Sequence, residues 1–419
     1  MAIKLGSTDI SKLYLGSTEV TKAYLGSTEV YPVATANPFE FRVTIPSNSY
    51  TLSLPYNGIG TYSGTIDFGD GSASVTNSFA NRSHTYATAG DYNIKIVGEC
   101  SRFQYQSHPD RLLVKEILSW GIYSFDVINF NGCKNLIGGA NCLDVINLNT
   151  TSISQMFYDC ENMVSIQFME DWDVSAITNF FGIFYDNNLF NQDLTGWNTS
   201  SATNIADLFR NAAIYNQPVN SFDVSSVNTL RQTFAFASAF NQSLSSWDVS
   251  NVTDLQSTFF GSSFNQPINN WNISSATTIR MIFFNNTSFN QPLNNWNTSN
   301  VINMNRSFRS NTVFNQDISN WDVSSVTDMS EMFNNSTAFD QDLSAWDLSS
   351  ITNMTNFMQS KSPANFSAAN CDAIFEACVN GNQSNVTLGM GTIKYSSAGA
   401  TDRATLISRG WTITDGGQV

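Results

Sequence analysis

The feature that most constrains this chain is a repeat with a period of 25 residues through its middle. Tryptophan falls at Trp172, Trp197, Trp247, Trp271, Trp296, Trp321 and Trp346, with Phe222 in the missing place. Phe-Asn-Gln recurs in step at Phe190, Phe240, Phe264, Phe289 and Phe314, with variants at Tyr215 and Phe339. Six residues before most of these stands another aromatic: Phe184, Phe209, Phe234, Phe283, Phe308 and Phe333. A unit this short cannot bury its own apolar face, so the units must stack on one another. Stacking puts each Trp and each Phe over its copy, and these files are the expected core. In Leu343-x-x-Trp346-x-Leu348 the two-residue spacing predicts a short strand with Trp346 and Leu348 inward and Asp347 outward. Val326, Met329, Met332 and Phe333, spaced by three or four, predict one or two helical turns on the opposite wall. Asn side chains are expected to bond backbone groups at the corners, relieving polar groups that cost about 1–3 kcal/mol each when unpaired.

One outward column follows from this register: Asp173, Asn198, Asp223, Asp248, Asn272, Asn297, Asp322 and Asp347. It reads either as a solvated face with side-chain ladders or as a polar surface for glycan hydroxyls or protein backbone. Exposed aromatics would favour sugar stacking, but the period does not tell which rings are exposed. The column carries Asp or Asn rather than rows of Thr-x-Thr, which argues against an ice-binding face. Its carboxylates come once per unit, as a ladder does, and not as the flanking pair that glycoside hydrolysis needs. Only His84 and His108 are present, so a His-rich metal site is excluded and a Ser-His-Asp triad has little to draw on. We expect no catalysis, cofactor or metal.

Charge narrows the partners. Among 419 residues, 34 acidic against 19 basic side chains give a net charge of -15, against the cationic surface that nucleic acid requires. No apolar run approaches the roughly 18 residues of a membrane span, and the N-terminus lacks the apolar stretch of a secretory signal. The six cysteines form no CxxC pair, and Cys371 and Cys378 fit zinc spacing poorly, so buried free thiols are expected. No heptad pattern argues for a trimer; a homo-oligomer stays open.

The expected fold is mainly β with short helices, in five segments. Residues 1–33 repeat Leu-Gly-Ser-Thr every ten residues, as tiny strands around tight turns: a flexible leader, or an anchor that orders on a larger assembly. Leu5, Gly6, Leu15, Gly16, Tyr24, Leu25 and Gly26 would carry that anchor. Residues 38–100 alternate as strands of a small sandwich. Residues 111–170 read as an N-terminal cap with degenerate repeats, 171–359 as the regular stack, and 360–419 as a C-terminal cap. Asp67 and Asp70 with Gly69 and Gly71 read as a structural turn, because the calcium-loop pattern of an EF-hand is not completed.

Thr65-Ile66-Asp67-Phe68-Gly69-Asp70-Gly71-Ser72, with Ser83-His84-Thr85-Tyr86 and Gly90-Asp91-Tyr92, is similar to the PKD-like immunoglobulin-type sandwich. Units such as Phe314-Asn315-Gln316-Asp317-Ile318-Ser319-Asn320-Trp321-Asp322-Val323 closely resemble the leucine-rich-like repeats of BspA-like bacterial surface proteins. The latter resemblance implies a solenoid used for surface display, adhesion, and protein or glycan binding. The leader resembles short repeats at the start of some tailed-bacteriophage virion proteins. Together they imply a virion protein, assembled in the host cytoplasm and released by lysis. It would join other virion proteins through its N-terminus and bind bacterial surface glycan or protein. A bacterial cell-surface adhesin is the alternative.

Overall fold

The structure, a computed structural model, describes residues 37–419 throughout; ahead of them it describes only the backbone of short strands between Lys4 and Tyr31. Those strands pair antiparallel, Lys4–Leu5 with Thr8–Asp9, Tyr14–Leu15 with Thr18–Glu19, and Ala23–Leu25 with Thr28–Tyr31, one pair per ten-residue repeat. The fold is mainly β with few short helices, and no closed barrel forms among the described residues.

Phe39–Ile45 alternates strictly, burying Phe39, Phe41, Val43 and Ile45 and leaving Glu40, Arg42 and Thr44 half-buried, the period-two pattern of a one-faced strand. It is the fourth strand of a five-stranded sheet in the order Val75–Thr76, Thr65–Asp67, Gly90–Val97, Phe39–Ile45, Val114–Ser119. Tyr50–Ser53 and Ser83–Tyr86 form a separate antiparallel pair. Val114–Ser119 is antiparallel to Phe39–Ile45, so a sheet ladder crosses from the N-terminal module into the segment that leads to the repeats. Arg42 donates to Glu116 across that seam at 2.9 Å.

In the repeats, parallel bridges run from Ser152 to Asn179, Asn204, Thr229, Asp254, Thr278, Asn303, Asp328 and Asn353, one residue per unit. The indoles lie over one another within the core: Trp247 and Trp271 are 6.4 Å apart at 2°, and Trp296 and Trp321 6.1 Å apart at 9°. Phe222 fills its place in that file against Trp197 at 6.4 Å. Each indole N–H is also satisfied in most units, donating to a carbonyl of the previous one, as Trp247 to Val219 at 2.9 Å and Trp321 to Leu293 at 3.0 Å. The second file runs through Phe184, Phe209, Phe234, Phe259, Phe283, Phe308 and Phe333 with neighbouring rings 5.6–6.0 Å apart.

Two local expectations are corrected. No strand forms around the tryptophans. The Trp346 amide bonds back to the Leu343 carbonyl, and Asp347 then accepts from the Ser349 amide, so the chain turns on both sides of the indole. No helix forms on the opposite wall either; it is a run of turns. Alternate amides leave the unit, Met329 to Asn353, Glu331 to Thr355 and Phe333 to Phe357, all at 2.9 Å. Those of Met332 and Asn334 between them close four-residue turns, onto the Met329 and Glu331 carbonyls. This alternation needs left-handed backbone at two residues four apart, as at Arg306 and Ser310 (φ 56° for each) and at Glu331 and Asn335 (φ 57° and 60°). Each such residue costs about 1–2 kcal/mol, offset by amides paired between units.

The Phe-Asn-Gln corner is a directed ladder. The amide of Asn241 is held by the side chain of Asn216, that of Asn265 by Asn241, that of Asn290 by Asn265, and that of Asn315 by Asn290. These corner side chains are half-buried or exposed and bond backbone; Asn286 and Asn311, three residues ahead of the corner phenylalanines, are buried and accept from the Phe289 and Phe314 amides, as expected. At the last unit Asp340 takes the place of Asn. Its amide is held by Asn315, while its carboxylate accepts from the Ser367 amide and the Asn370 side chain at the start of the helix α1 (Ala368–Asn380). That helix and α2 (Ala400–Ser408) pack together beyond the final repeat.

Candidate functional site

All eight residues of the Asp/Asn column are exposed and recur in register. Their chemistry is largely spent on the chain itself. In every unit the side-chain oxygen accepts from the backbone amide two residues on, as Asp173 from Ser175 at 3.1 Å and Asn272 from Ser274 at 3.2 Å. Asn198, Asp223, Asp248, Asn297, Asp322 and Asp347 do the same. Such Asx turns are why Asp and Asn, and not Thr or Lys, fill this position. Hydrogen bonds from the following Ser hydroxyl and amide hold Asp173, Asp223, Asp248 and Asp322 below the usual carboxylate range. The column offers one free carboxylate oxygen per acidic unit and no converging pair.

Of the anchor residues, Leu5, Leu15, Tyr24 and Leu25 lie on the paired strands. Gly6, Gly16 and Gly26 lie outside the described residues.

The Asp67 and Asp70 turn is likewise self-contained. Asp67 accepts from the Gly69 amide at 2.8 Å and Asp70 from Ser72. Asp70 also pairs with His84 at 2.7 Å, and His84 stacks on Phe68 at 4.5 Å. The Ser72 hydroxyl, with His84, brings Asp70 down to about 2. Among the described residues no three His, Cys, Asp or Glu side chains stand close enough to hold a metal ion. All six cysteines are free and buried.

The turn-built wall differs from the rest. Elsewhere the copies repeat the same chemistry; here they do not. The left-handed position is filled in turn by Gln155, Gly182, Asp207, Gln232, Ser257, Met281, Arg306 and Glu331, with glutamine alone occurring twice. All five basic residues of the 171–359 segment, Arg210, Arg231, Arg280, Arg306 and Arg309, belong to this wall. Beside them, partly exposed rings form two short clusters. Tyr158 and Tyr185 lie 4.2 Å apart at 9°, closed by Arg210 at 4.8 Å from the Tyr185 ring. Phe236, Phe260 and Phe284 follow at 4.4 and 4.7 Å, closed by Arg309 at 5.2 Å. Each ring contact is worth about 0.5–1.5 kcal/mol beyond area burial. Phe236 is 38% exposed and lies over Gly261, where a Cβ would come within 2.8 Å of its ring.

Ion pairs fix both ends. Arg210 bonds Asp207 at 3.2 Å, and Arg306 bonds Glu331 at 2.6 Å, with Arg309 on the other oxygen of Glu331. Burial raises Asp207 above the usual carboxylate range despite Arg210; at Glu331 the two arginines win over burial and lower it. In the two parallel pairs, Tyr158 with Tyr185 and Phe260 with Phe284, the rings cover one another's faces and turn their edges outward, whereas Phe236 is tilted by 52° against Phe260. Ring edges carry the positive end of the aromatic quadrupole. The wall is therefore a narrow strip of guanidinium, amide and aromatic ring. Periodicity hid it, since it consists of the positions that do not repeat. Comparing the residue after each core Phe, namely Tyr185, Arg210, Ala235, Phe260, Phe284 and Arg309, would have exposed it.

A family model described as Mycoplasma protein of unknown function, DUF285, matches residues 151–266 and 253–371, together more than half of the chain. Neither the curated proteins nor the solved structures contain a match to it.

Proposed function

The chain belongs to the DUF285 family, a BspA-like repeat family, and from that premise we propose that it is a non-enzymatic surface protein that binds through the turn-built wall of its repeats. In this reading the repeats are a leucine-rich-like solenoid, the 38–100 module is a PKD-like sandwich that spaces it, and residues 1–33 dock it on a phage particle. The solenoid then meets glycan or protein on the bacterial surface by many weak contacts, multiplied by copy number. The observation that carries this is the contrast between walls. The Trp, Phe, Asn-Gln and Asp/Asn columns repeat because they hold the stack together. The strip from Tyr158 to Glu331 varies and gathers every arginine of the segment. Variation among copies at one wall, on a uniform scaffold, is what recognition needs and packing does not.

Binding of purified protein to bacterial cells tests it. Arg231→Glu with Phe236→Ser should abolish cell binding while the fold is kept. Asp248→Asn with Asp322→Asn, on the column, should leave it unchanged. The reverse pattern would refute the assignment. The match to a family of cellular proteins favours one second reading, an adhesin on the bacterial cell itself. Immunogold labelling separates the two: label on particles, lost on deleting residues 1–33, supports the virion; label on uninfected cells supports the adhesin.

A further inference from the structure

We infer that the middle of the strip takes an anionic polysaccharide whose carboxylates fall on alternate sugars. This rests on the strip being the binding wall.

The argument lies in one column, Arg231, Gln256, Arg280 and Asn305, four consecutive units read upward. Charged and neutral donors alternate over its first three places, and Asn305 serves to orient Arg280. Arg231 is exposed and Arg280 half-buried, and neither makes an ion pair among the described residues, unlike Arg210, Arg306 and Arg309. Arg280 is oriented by its Nε, which donates to Asn305 at 3.1 Å, and Asn305 is itself buried and tied to Ser330. Its two terminal nitrogens carry no bond among the described residues and stay available. The two unpaired guanidiniums are two units apart, so about 10 Å at ordinary strand spacing. Gln256 stands between them with an uncommitted amide.

Guanidinium recognises carboxylate in a planar, two-pronged way. A polymer offering carboxylate, hydroxyl, carboxylate in succession fits this order of donors. On the same wall Phe260 and Phe284 stack in parallel, and the ring edges of such a pair favour oxygen acceptors over apolar groups. The acids bound the track, Asp207 one unit below Arg231 and Glu331 one unit above Asn305. Nucleic acid, with a phosphate at every step, would meet these acids and a chain of net charge -15. An acidic protein partner would be expected to bring aromatic anchors into desolvated pockets, and neither described pocket is lined by the strip's residues.

Titration calorimetry on the full chain tests this with four probes: hyaluronate, which alternates a uronic acid with a neutral amino sugar; polygalacturonate; dextran; and poly-glutamate. Hyaluronate should bind, weaken as salt rises, and lose at least about tenfold in affinity in Arg231→Gln with Arg280→Gln. Polygalacturonate should bind less well, and dextran not at all. No hyaluronate binding, binding unchanged in the double variant, or poly-glutamate binding equally well each overturn the inference. If dextran alone binds and Phe236→Ser abolishes it, the anionic assignment falls while the strip survives as the binding wall. If cell binding is indifferent to every strip variant, the underlying reading falls as well.

Discussion

The indole N–H of Trp346 donates to the carbonyl of Ile318, 28 residues earlier, at 3.1 Å. The same bond joins Trp296 to Ile268 and Trp271 to Leu244. From Trp197 onward each tryptophan of the file is thus both packing volume and a polar tie to the unit beneath it, which explains why Trp is preferred over an equally apolar residue at this position.

Replacing Trp296 by Phe should lower stability by about 1–3 kcal/mol. It leaves the Ile268 carbonyl with the Trp271 amide as its one remaining donor and removes indole volume. Thermal unfolding followed by circular dichroism measures it. The fold should survive, because Phe222 already occupies the file with rings 6.4 Å from Trp197.

The Asp/Asn column makes a paired prediction. Asp322→Asn keeps the acceptor for the Ser324 amide at 3.0 Å and should be nearly neutral. Asp322→Ala removes it and should cost about 0.5–1.5 kcal/mol. Equal losses in the two variants, measured by urea unfolding, would mean that charge rather than the turn matters there.

Gly261→Ala should destabilise by about 1–2 kcal/mol from backbone alone, since φ is +64°. It should also displace the Phe236 ring, which the new Cβ would meet at 2.8 Å. Cell binding should fall further than stability accounts for; the double variant Gly261→Ala with Phe236→Ser separates the two effects.

Lys361 gives a pH dependence. It is 1% exposed, with its Nζ donating to the Ser336 and Phe339 carbonyls at 2.7 and 2.6 Å. Burial lowers it to about 8 from an ordinary 10.5. Between those values the unfolded chain binds more protons than the folded one, so the lysine's contribution to stability rises with pH across that window. The full span amounts to about 3 kcal/mol. Against Lys361→Met, the unmodified protein should gain relative stability from pH 7.5 to pH 10. A flat difference, measured by chemical unfolding at both values, would show that the amine titrates normally.

The register of the repeats, the two aromatic files and the outward column were legible in the sequence because packing imposes the same chemistry at every turn of the stack. The sign of φ was not. Arg306, Glu331 and Met281 carry left-handed backbone without being glycine, and nothing in a side chain of that kind announces it. Three-to-four spacing of Val326, Met329 and Met332 suits a helix and a run of tight turns equally, so the wall was read as helical. The strand read around Trp346 failed for a related reason: Asp347 and Ser349 close a turn that the alternation of Trp346 and Leu348 conceals. The strip itself was invisible to a search for what recurs.

The acid at position 340 has one more implication. Every earlier corner hands its side-chain oxygen to the amide of a following copy, an invitation that any further identical unit, from this molecule or another, could accept. Asp340 gives its oxygen instead to Ser367 and Asn370, and the invitation is withdrawn. A stack of interchangeable units thereby closes at this corner, the side-chain oxygen that would serve a further copy of the same unit being bonded within the chain.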